Sequence, residues 1–227
     1  MVGLTPAEWT AVTLSLRVAL WAVALSLPLG VALGWLLARH DFRGKILVET
    51  LVNLTLVLPP VVTGYLLLRI FGRQGWIGAW LEEIFGLQIA FTWWAAALAS
   101  AALGFPLMVR AIRLAFQGVD RRLEEAARSL GAGRIDSFLS VSLPLARPGI
   151  IAGAVLAFAR SLGEFGATIT FAGNIPGETR TLPLAVFTEM NRAGGGPGST
   201  RLAIVAVLLA AGALAVSEWL ERRGRSS

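Results

Sequence analysis

An arginine and a glutamate interrupt the apolar stretch from Pro148 to Phe171. Arg160 and Glu164 are four positions apart, so a helix would place them on one face, where their opposite charges can neutralise each other. Ionisable residues deep inside a membrane-spanning helix usually face the protein interior and serve its function. We expect this pair either to hold a closed gate or a subunit interface together, or to be a buried ion pair with a purely structural role.

Other chemistry-bearing residues are scarce in this sequence. It has no cysteine and a single histidine, His40, which lies between Arg39 and Asp41. Thiolate chemistry, zinc–thiolate sites and multi-histidine metal sites are therefore excluded. A membrane-embedded enzyme would need a nucleophile–base pair, and the sequence suggests none. We expect no catalytic residue and no metal site, and we expect His40 to be a solvated residue at the membrane rim.

The composition is typical of a membrane protein. Of the 227 residues, 56% are apolar and 15% are charged, whereas a soluble domain carries about 25% charged residues. The net charge of +6 indicates either nucleic-acid binding or the charge bias of membrane loops. Because the arginines lie between apolar stretches, we expect a single transmembrane domain over residues 1–227, in contact with membrane lipid and not with nucleic acid.

Several apolar stretches approach the roughly 20 residues that a helix needs to cross a bilayer. They predict an all-α protein with five spans, near residues 12–38, 48–70, 88–110, 148–172 and 201–220. Most basic residues outside these spans lie on one side of the membrane, in the segments 39–45, 110–147 and 222–225. The positive-inside rule places that side in the cytoplasm, so we expect an external N-terminus and a cytoplasmic C-terminus.

The second predicted span is interrupted by a proline pair. Pro59 and Pro60 remove two adjacent backbone donors in mid-membrane, and Gly64 follows them. Carbonyl groups that lose their partners must be satisfied by neighbouring groups or by a wet cavity. The interruption indicates either a simple kink or a lined pathway or hinge, and the proline pair favours the pathway.

The long cytoplasmic segment 110–147 begins with a predicted helix. Asp120 is suited to cap that helix and Gly131 to end it, while Glu124 and Arg128 can pair on its exposed face. Its other face carries small or apolar residues at helical spacing, namely Leu123, Ala126, Ala127 and Leu130. That face is suited either to a groove on a soluble partner or to packing on the chain's own membrane domain.

A second short helix is predicted from Arg134 to about Val141, before Leu143 and Pro144 lead into the next span. Together the two helices would form a short helix-turn-helix on the cytoplasmic face.

The spacing of residues in this segment resembles the EAA loop of ABC importer permeases. It reads Glu125-Ala126-Ala127, three residues, Gly131, nine residues, Val141, one residue, Leu143-Pro144. The single departure is Val141, where that family usually has isoleucine, and this exchange is conservative. The resemblance implies that the segment couples to an ATPase through Glu125, Ala126, Ala127, Gly131, Val141, Leu143 and Pro144.

Further stretches are similar to the molybdate permeases within that family. They cover residues 58–66, 105–113, 159–171 and 174–181. Sulfate permeases share the Gly-Glu-Phe-Gly element at 163–166, whereas the run 174–181 favours molybdate; sulfate or tungstate is the alternative substrate. We group as candidates for the translocation path or gate Pro59, Pro60, Gly64, Arg160, Glu164 and Gly166.

The resemblance also implies the fold and the partners. The fold would be that of a type I, MetI-like importer permease in a bacterial inner membrane. The chain has no G-x-x-x-x-G-K-[ST] loop for nucleotide phosphates, so it would need no cofactor of its own, and ATP with Mg²⁺ would bind a partner ATPase. The implied partners are a second copy of the chain, two ATP-binding subunits on the cytoplasmic side and an extracytoplasmic oxyanion-binding protein.

A secondary transporter is a less favoured alternative. Such proteins often contain inverted repeats and ion sites near the midplane of the membrane. No internal repeat is visible in this sequence, and five spans do not divide into two equal halves.

Overall fold

A computed structural model describes residues 3–192 and 197–225, and within these two ranges the chain is helical with no β-strand. A π-helical turn, Phe138–Ser142, lies between α7 and α8. The helices are α1 Pro6–Arg39, α2 Lys45–Val57, α3 Pro60–Phe71, α4 Trp76–Phe85, α5 Trp93–Gly118, α6 Arg121–Ser129, α7 Arg134–Ser137, α8 Leu143–Leu162, α9 Gly166–Phe171, α10 Leu182–Met190 and α11 Pro197–Arg225. The predicted all-α class is confirmed.

Four helical runs in the described ranges are long and apolar enough to cross a membrane. They are Pro6–Arg39, Trp93–Gly118, Arg134–Leu162 and Gly198–Val216. Helices α2 and α3 satisfy the same criterion only as a pair, and they are bent by 115° at their junction. The described part of the chain therefore has four candidate spans, or five if the bent pair counts as one.

The prolines explain why one predicted span is broken and others are not. Pro28 and Pro106 lie inside α1 and α5, which continue through them. The adjacent pair Pro59 and Pro60 instead separates α2 from α3, with Pro60 as the first residue of α3. Proline is favoured at that position, because the first backbone N–H groups of a helix have no partner within the helix.

The centre of the molecule is formed by α5, which packs on both α1 and α8. Small residues bring these helices close together, as is usual where lipid supplies no hydrophobic driving force. Ala95, Ala96, Ala97 and Ala99 are completely buried. A β-carbon added to Gly34 of α1 would lie 2.7 Å from Ile112 Cγ2 of α5, so the two helices could not approach this closely with a larger residue there.

The topology predicted from the sequence places α4 and the segment 110–147 on opposite sides of the membrane. The bulky residues Trp76, Trp80, Ile84 and Phe85 of α4 are exposed. An amphipathic helix of this kind is suited to lie in the membrane interface.

Candidate functional site

Helices α3 and α9 cross at a contact that only small residues permit. A β-carbon added to Gly64 of α3 would lie 2.7 Å from the carbonyl oxygen of Ala167. A β-carbon added to Gly166 of α9 would lie 2.9 Å from Pro60 Cβ. The structure therefore brings together three of the predicted path residues, Pro60, Gly64 and Gly166, although they come from different predicted spans.

Arg160 and Glu164 form the predicted ion pair, but the two residues do not share a helix. Helix α8 ends at Leu162, and Glu164 lies in the connection to α9. Arg160 Nη1 is nevertheless 2.8 Å from Glu164 Oε2. The expectation of one helical face is wrong, because the chain leaves the helix at Gly163 before it reaches the glutamate.

The Glu164 carboxylate holds the connection between α8 and α9 in place. Its second oxygen, Oε1, accepts a hydrogen bond of 2.9 Å from the backbone N–H of Ala167. The side chain of Glu164 is 2% exposed, whereas that of Arg160 is 31% exposed. One buried carboxylate thus joins the end of α8 to the first turn of α9, which is the turn that contacts α3.

Two buried hydroxyl groups on the crossing helices have no hydrogen-bond partner within the described part of the chain. They belong to Thr63 of α3 and Thr168 of α9, which are 5% and 0% exposed. A buried hydroxyl without a partner is costly. Neither residue is predicted from the sequence, where each is only a threonine beside one of the crossing residues, Gly64 or Ala167.

Helix α6 begins and ends as predicted. The Asp120 side chain accepts a hydrogen bond of 2.9 Å from the backbone N–H of Arg122, and Gly131 follows the helix with φ of +98°, a conformation that favours glycine. None of its residues is buried. Leu130, just beyond its end, is 91% exposed, so the membrane domain does not cover this surface.

The second cytoplasmic helix differs from the prediction. Helix α7 is followed without a break by the π-helical turn and α8, so the run Arg134–Leu162 is continuous. The backbone N–H of Leu143 bonds to the carbonyl of Phe138, and the wider turn accommodates Pro144, which has no N–H to donate. The prediction of a separate short helix that ends at about Val141 is therefore wrong, because Val141 lies within the π-helical turn of the continuous run.

The motif residues of α6 are accessible. Glu125 and Ala126 are exposed and Ala127 is half-buried, while Gly131 is exposed in the turn that follows. On the continuous run, Val141 and Leu143 are half-buried and Pro144 is exposed. The residues of the motif thus lie on a surface made of α6 and the start of the adjoining span.

Glu124 does not pair with Arg128 as predicted. Its Oε1 lies 2.7 Å from Arg39 Nη2 at the end of α1. The Ser142 hydroxyl donates a hydrogen bond of 2.7 Å to the same oxygen. The local spacing on α6 allowed the pairing with Arg128, but a partner distant in the sequence replaces it.

The segment that follows α1, beside the Arg39–Glu124 pair, carries charged residues. His40 is exposed, and its ring packs edge-on against Trp35 with 5.0 Å between centroids. The hydrogen bond and the positive charge of Lys45 lower the pKa of the Asp41 carboxyl. In the described ranges no group of three or more histidine, aspartate or glutamate residues is arranged to hold a metal ion.

Comparison with protein families gives a match over most of the chain. The family described as "Binding-protein-dependent transport system inner membrane component" matches residues 30–226. Among curated relatives, the Escherichia coli (strain K12) "Molybdenum transport system permease protein ModB" is 58% identical over 222 residues, covering 98% of this chain and 97% of the relative. The Haemophilus influenzae protein of the same name is 50% identical, with 95% and 94% covered.

A relative named for a different substrate is less similar. The "Probable sulfate transport system permease protein cysT" of Nephroselmis olivacea is 34% identical, with 99% of this chain and 78% of the relative covered.

Two solved transporters have the same fold. An inward-facing structure of the MetNI methionine ABC transporter matches with a TM-score of 0.68 at 18% identity, covering 96% of this chain and 94% of the solved one. A bacterial alginate ABC transporter, solved with an alginate-bound periplasmic protein, matches with a TM-score of 0.74 at 16% identity, with 96% and 80% covered. This chain therefore belongs to the binding-protein-dependent inner membrane components, the multi-pass permeases of ABC importers.

Proposed function

We propose that this chain is the permease of an ATP-driven molybdate importer. The observation that carries the proposal is the 58% identity to the Escherichia coli molybdenum permease over nearly the whole length of both proteins. The sulfate permease relative, at 34% identity, supports sulfate as the second candidate. Tungstate has the same charge and shape as molybdate and is tested alongside both.

The energy for transport comes from separate ATP-binding subunits. Their docking site is the coupling surface, which we define as α6 together with the exposed apolar residues Leu130, Ile135 and Leu139. An uncovered helix with exposed leucine side chains is suited to a groove on a soluble partner. Glu125, exposed on α6, provides a charge at this docking site.

The membrane orientation follows from the charge distribution. Segments 39–45, 110–147 and 222–225 carry most of the basic residues outside the spans, and such segments lie on the cytoplasmic side. The coupling surface then faces the ATP-binding subunits, the N-terminus is external, and α4 lies at the outer interface. An external binding protein delivers the oxyanion at that outer side.

The translocation path runs between two copies of the chain, and the α3–α9 crossing serves as its gate. Such a site can open by rigid-body movement, because packed helices switch between discrete arrangements rather than deform continuously. The Arg160–Glu164 pair and the Glu164–Ala167 hydrogen bond support this role, since they connect α8 to the crossing. Glu164 itself does not bind the anion, because like charges repel.

The hydroxyl groups of Thr63 and Thr168 are the polar groups that the crossing offers to an oxyanion when α3 and α9 separate. Both are buried, and neither has a hydrogen-bond partner within residues 3–192 and 197–225. Neutral donors suit a doubly charged anion that must be released again, whereas a full charge pair would hold it tightly.

The test is ATP hydrolysis in proteoliposomes that contain this chain and its ATPase. The external binding protein is added empty or loaded with molybdate, tungstate or sulfate. We expect stimulation by the molybdate-loaded protein above that by the sulfate-loaded protein. Equal stimulation by sulfate would remove the substrate assignment, and an absence of any ATPase in the purified complex would remove the coupling role.

A further inference from the structure

Arg39, the last residue of α1, reaches across to the coupling segment. Its side chain is 7% exposed, and its Nη2 lies 2.7 Å from Glu124 Oε1. The same Nη2 donates a hydrogen bond of 3.0 Å to the carbonyl oxygen of Val119, which lies between α5 and α6. One guanidinium group therefore joins the end of α1 to both sides of the α5–α6 junction.

Glu124 is bonded on its other side to the start of the α8 span. The Ser142 hydroxyl donates to Glu124 Oε1 at 2.7 Å, and the Ser137 hydroxyl donates to the backbone carbonyl of Glu124 at 3.4 Å. The Glu124 side chain is 13% exposed. The carboxylate thus connects α6 to α1 through Arg39 and to the π-helical turn before α8 through Ser142.

Helix α6 has little apolar attachment to the membrane domain. None of its residues is buried, and Leu123 with Asp120 borders a groove of about 900 Å³ between α6 and helices α5 and α8. Within the described ranges, the contacts of the Glu124 carboxylate link α6 to the end of α1 and to the π-helical turn before α8. A buried ion pair with additional hydrogen bonds is sensitive to geometry, since removal of one partner leaves the other charge buried.

We propose that Arg39 and Glu124 are positioning residues that transmit the movement of the coupling surface to the membrane spans. An ATPase that displaces α6 would move the ends of α1 and α8 together through Arg39, Glu124 and Ser142. Glu125, one residue away, faces outward and belongs to the docking surface instead. The inference rests on the proposed function, because it requires an ATPase that binds the coupling surface.

The test uses the complete complex of permease, ATPase and binding protein in proteoliposomes. The variants are Glu124→Gln and Arg39→Gln, with Arg39→Lys as the conservative exchange. The readouts are the amount of ATPase that co-purifies, basal ATP hydrolysis, and its stimulation by the molybdate-loaded binding protein. We expect normal co-purification, and a stimulation that falls about tenfold in both glutamine variants, within the usual range of coupling energies. Arg39→Lys should fall less.

Glu49→Gln is the matched control. Glu49 pairs with Arg113 at 2.9 Å, and this pair joins α2 to α5 without touching α6. Ser142→Ala removes one hydrogen bond to Glu124 and leaves the charges in place. It therefore tests the same connection if a glutamine variant does not fold. We expect Glu49→Gln to retain full stimulation and Ser142→Ala to lose part of it.

Two results would overturn the transmission role. One is full stimulation in Glu124→Gln and Arg39→Gln. The other is loss of ATPase co-purification from them, which would show that the pair only shapes the docking surface. The unaltered complex is measured first, and if it does not respond to any loaded binding protein the proposed function fails independently of Arg39 and Glu124.

Discussion

Glu164 Oε2 lies 2.8 Å from Arg160 Nη1 even though the helix that carries the arginine ends before the glutamate. The other carboxylate oxygen caps the first turn of α9. The two interactions of one buried side chain join α8 to the helix that crosses α3. A change at Glu164 should therefore alter the α3–α9 crossing, which we propose as the gate, as well as the local ion pair.

Glu164→Gln should uncouple ATP hydrolysis from transport. The amide oxygen can still accept the N–H of Ala167, but the negative charge that faces Arg160 is lost. We expect molybdate uptake to fall by about tenfold or more, a factor within the range of typical coupling energies. We also expect basal ATP hydrolysis to rise. Uptake and basal hydrolysis are measured in the same proteoliposomes. Glu82→Gln, which breaks the exposed Arg73–Glu82 pair, is the control, and unchanged behaviour of Glu164→Gln would eliminate the gate role.

Gly64→Ala and Gly166→Ala should force α3 and α9 apart. The added methyl groups would lie within 3 Å of Ala167 and of Pro60, respectively, and overpacking of this kind costs about 1–3 kcal/mol. We expect lower thermal stability of the detergent-purified permease and raised basal ATP hydrolysis in the complex. Gly212→Ala is the control, because a β-carbon there meets no neighbour and alanine favours the helix. Equal effects of all three substitutions would show that the α3–α9 contact does not require glycine at positions 64 and 166.

Leu130→Ser should weaken binding of the ATPase without destabilising the permease. The side chain is 91% exposed in the isolated chain, so its removal leaves the membrane domain unchanged. Truncation of a hot-spot side chain at the centre of an interface costs about 2 kcal/mol or more, which corresponds to at least a roughly tenfold weaker complex. Binding is measured by titration of the purified ATPase onto the permease in nanodiscs. Ile84→Ser, on exposed α4, should bind normally, and normal binding by Leu130→Ser would exclude this residue from the docking surface.

Thr168→Val and Thr63→Val should lower transport while the permease becomes no less stable. Each exchange replaces an unpartnered buried hydroxyl with a methyl group of similar size, which removes a desolvation cost of about 1–3 kcal/mol in the folded state. We expect a several-fold lower rate of molybdate uptake at full ATPase stimulation. The control is Thr170→Val, whose hydroxyl is already bonded to the carbonyl of Gly166 at 2.8 Å. Unchanged uptake in both variants would remove the hydroxyl groups from the path.

Local pattern was sufficient to predict much of this structure. Apolar stretches of bilayer length correspond to α1, α5 and α11, whereas the predicted span 148–172 is divided between α8 and α9. The capping residue Asp120 and the terminating Gly131 mark the ends of α6. These features depend on residues a few positions apart. The motif spacing around Glu125 likewise led to the permease family that the comparison with known proteins established.

The remaining features depend on contacts between distant segments. The spacing of Glu124 and Arg128 favoured a local pair, but Arg39 from the end of α1 is closer in space. The proline pair predicted an interruption but not the size of the bend, which is 115° between α2 and α3; α2 contacts α5, and α3 contacts α9. The close approach of Gly64 to Ala167 joins two separate predicted spans, so no periodicity within either one could indicate it.

The most direct test of the central proposal is uptake of radiolabelled molybdate into proteoliposomes that contain the permease and its ATPase. The external binding protein is supplied on one side and ATP on the other, with unlabelled tungstate or sulfate as competitors. The proposal predicts uptake that requires both ATP and the binding protein, that tungstate competes for, and that a large excess of sulfate does not suppress. Uptake without ATP would indicate a secondary transporter, and suppression by equimolar sulfate would contradict the assignment of molybdate.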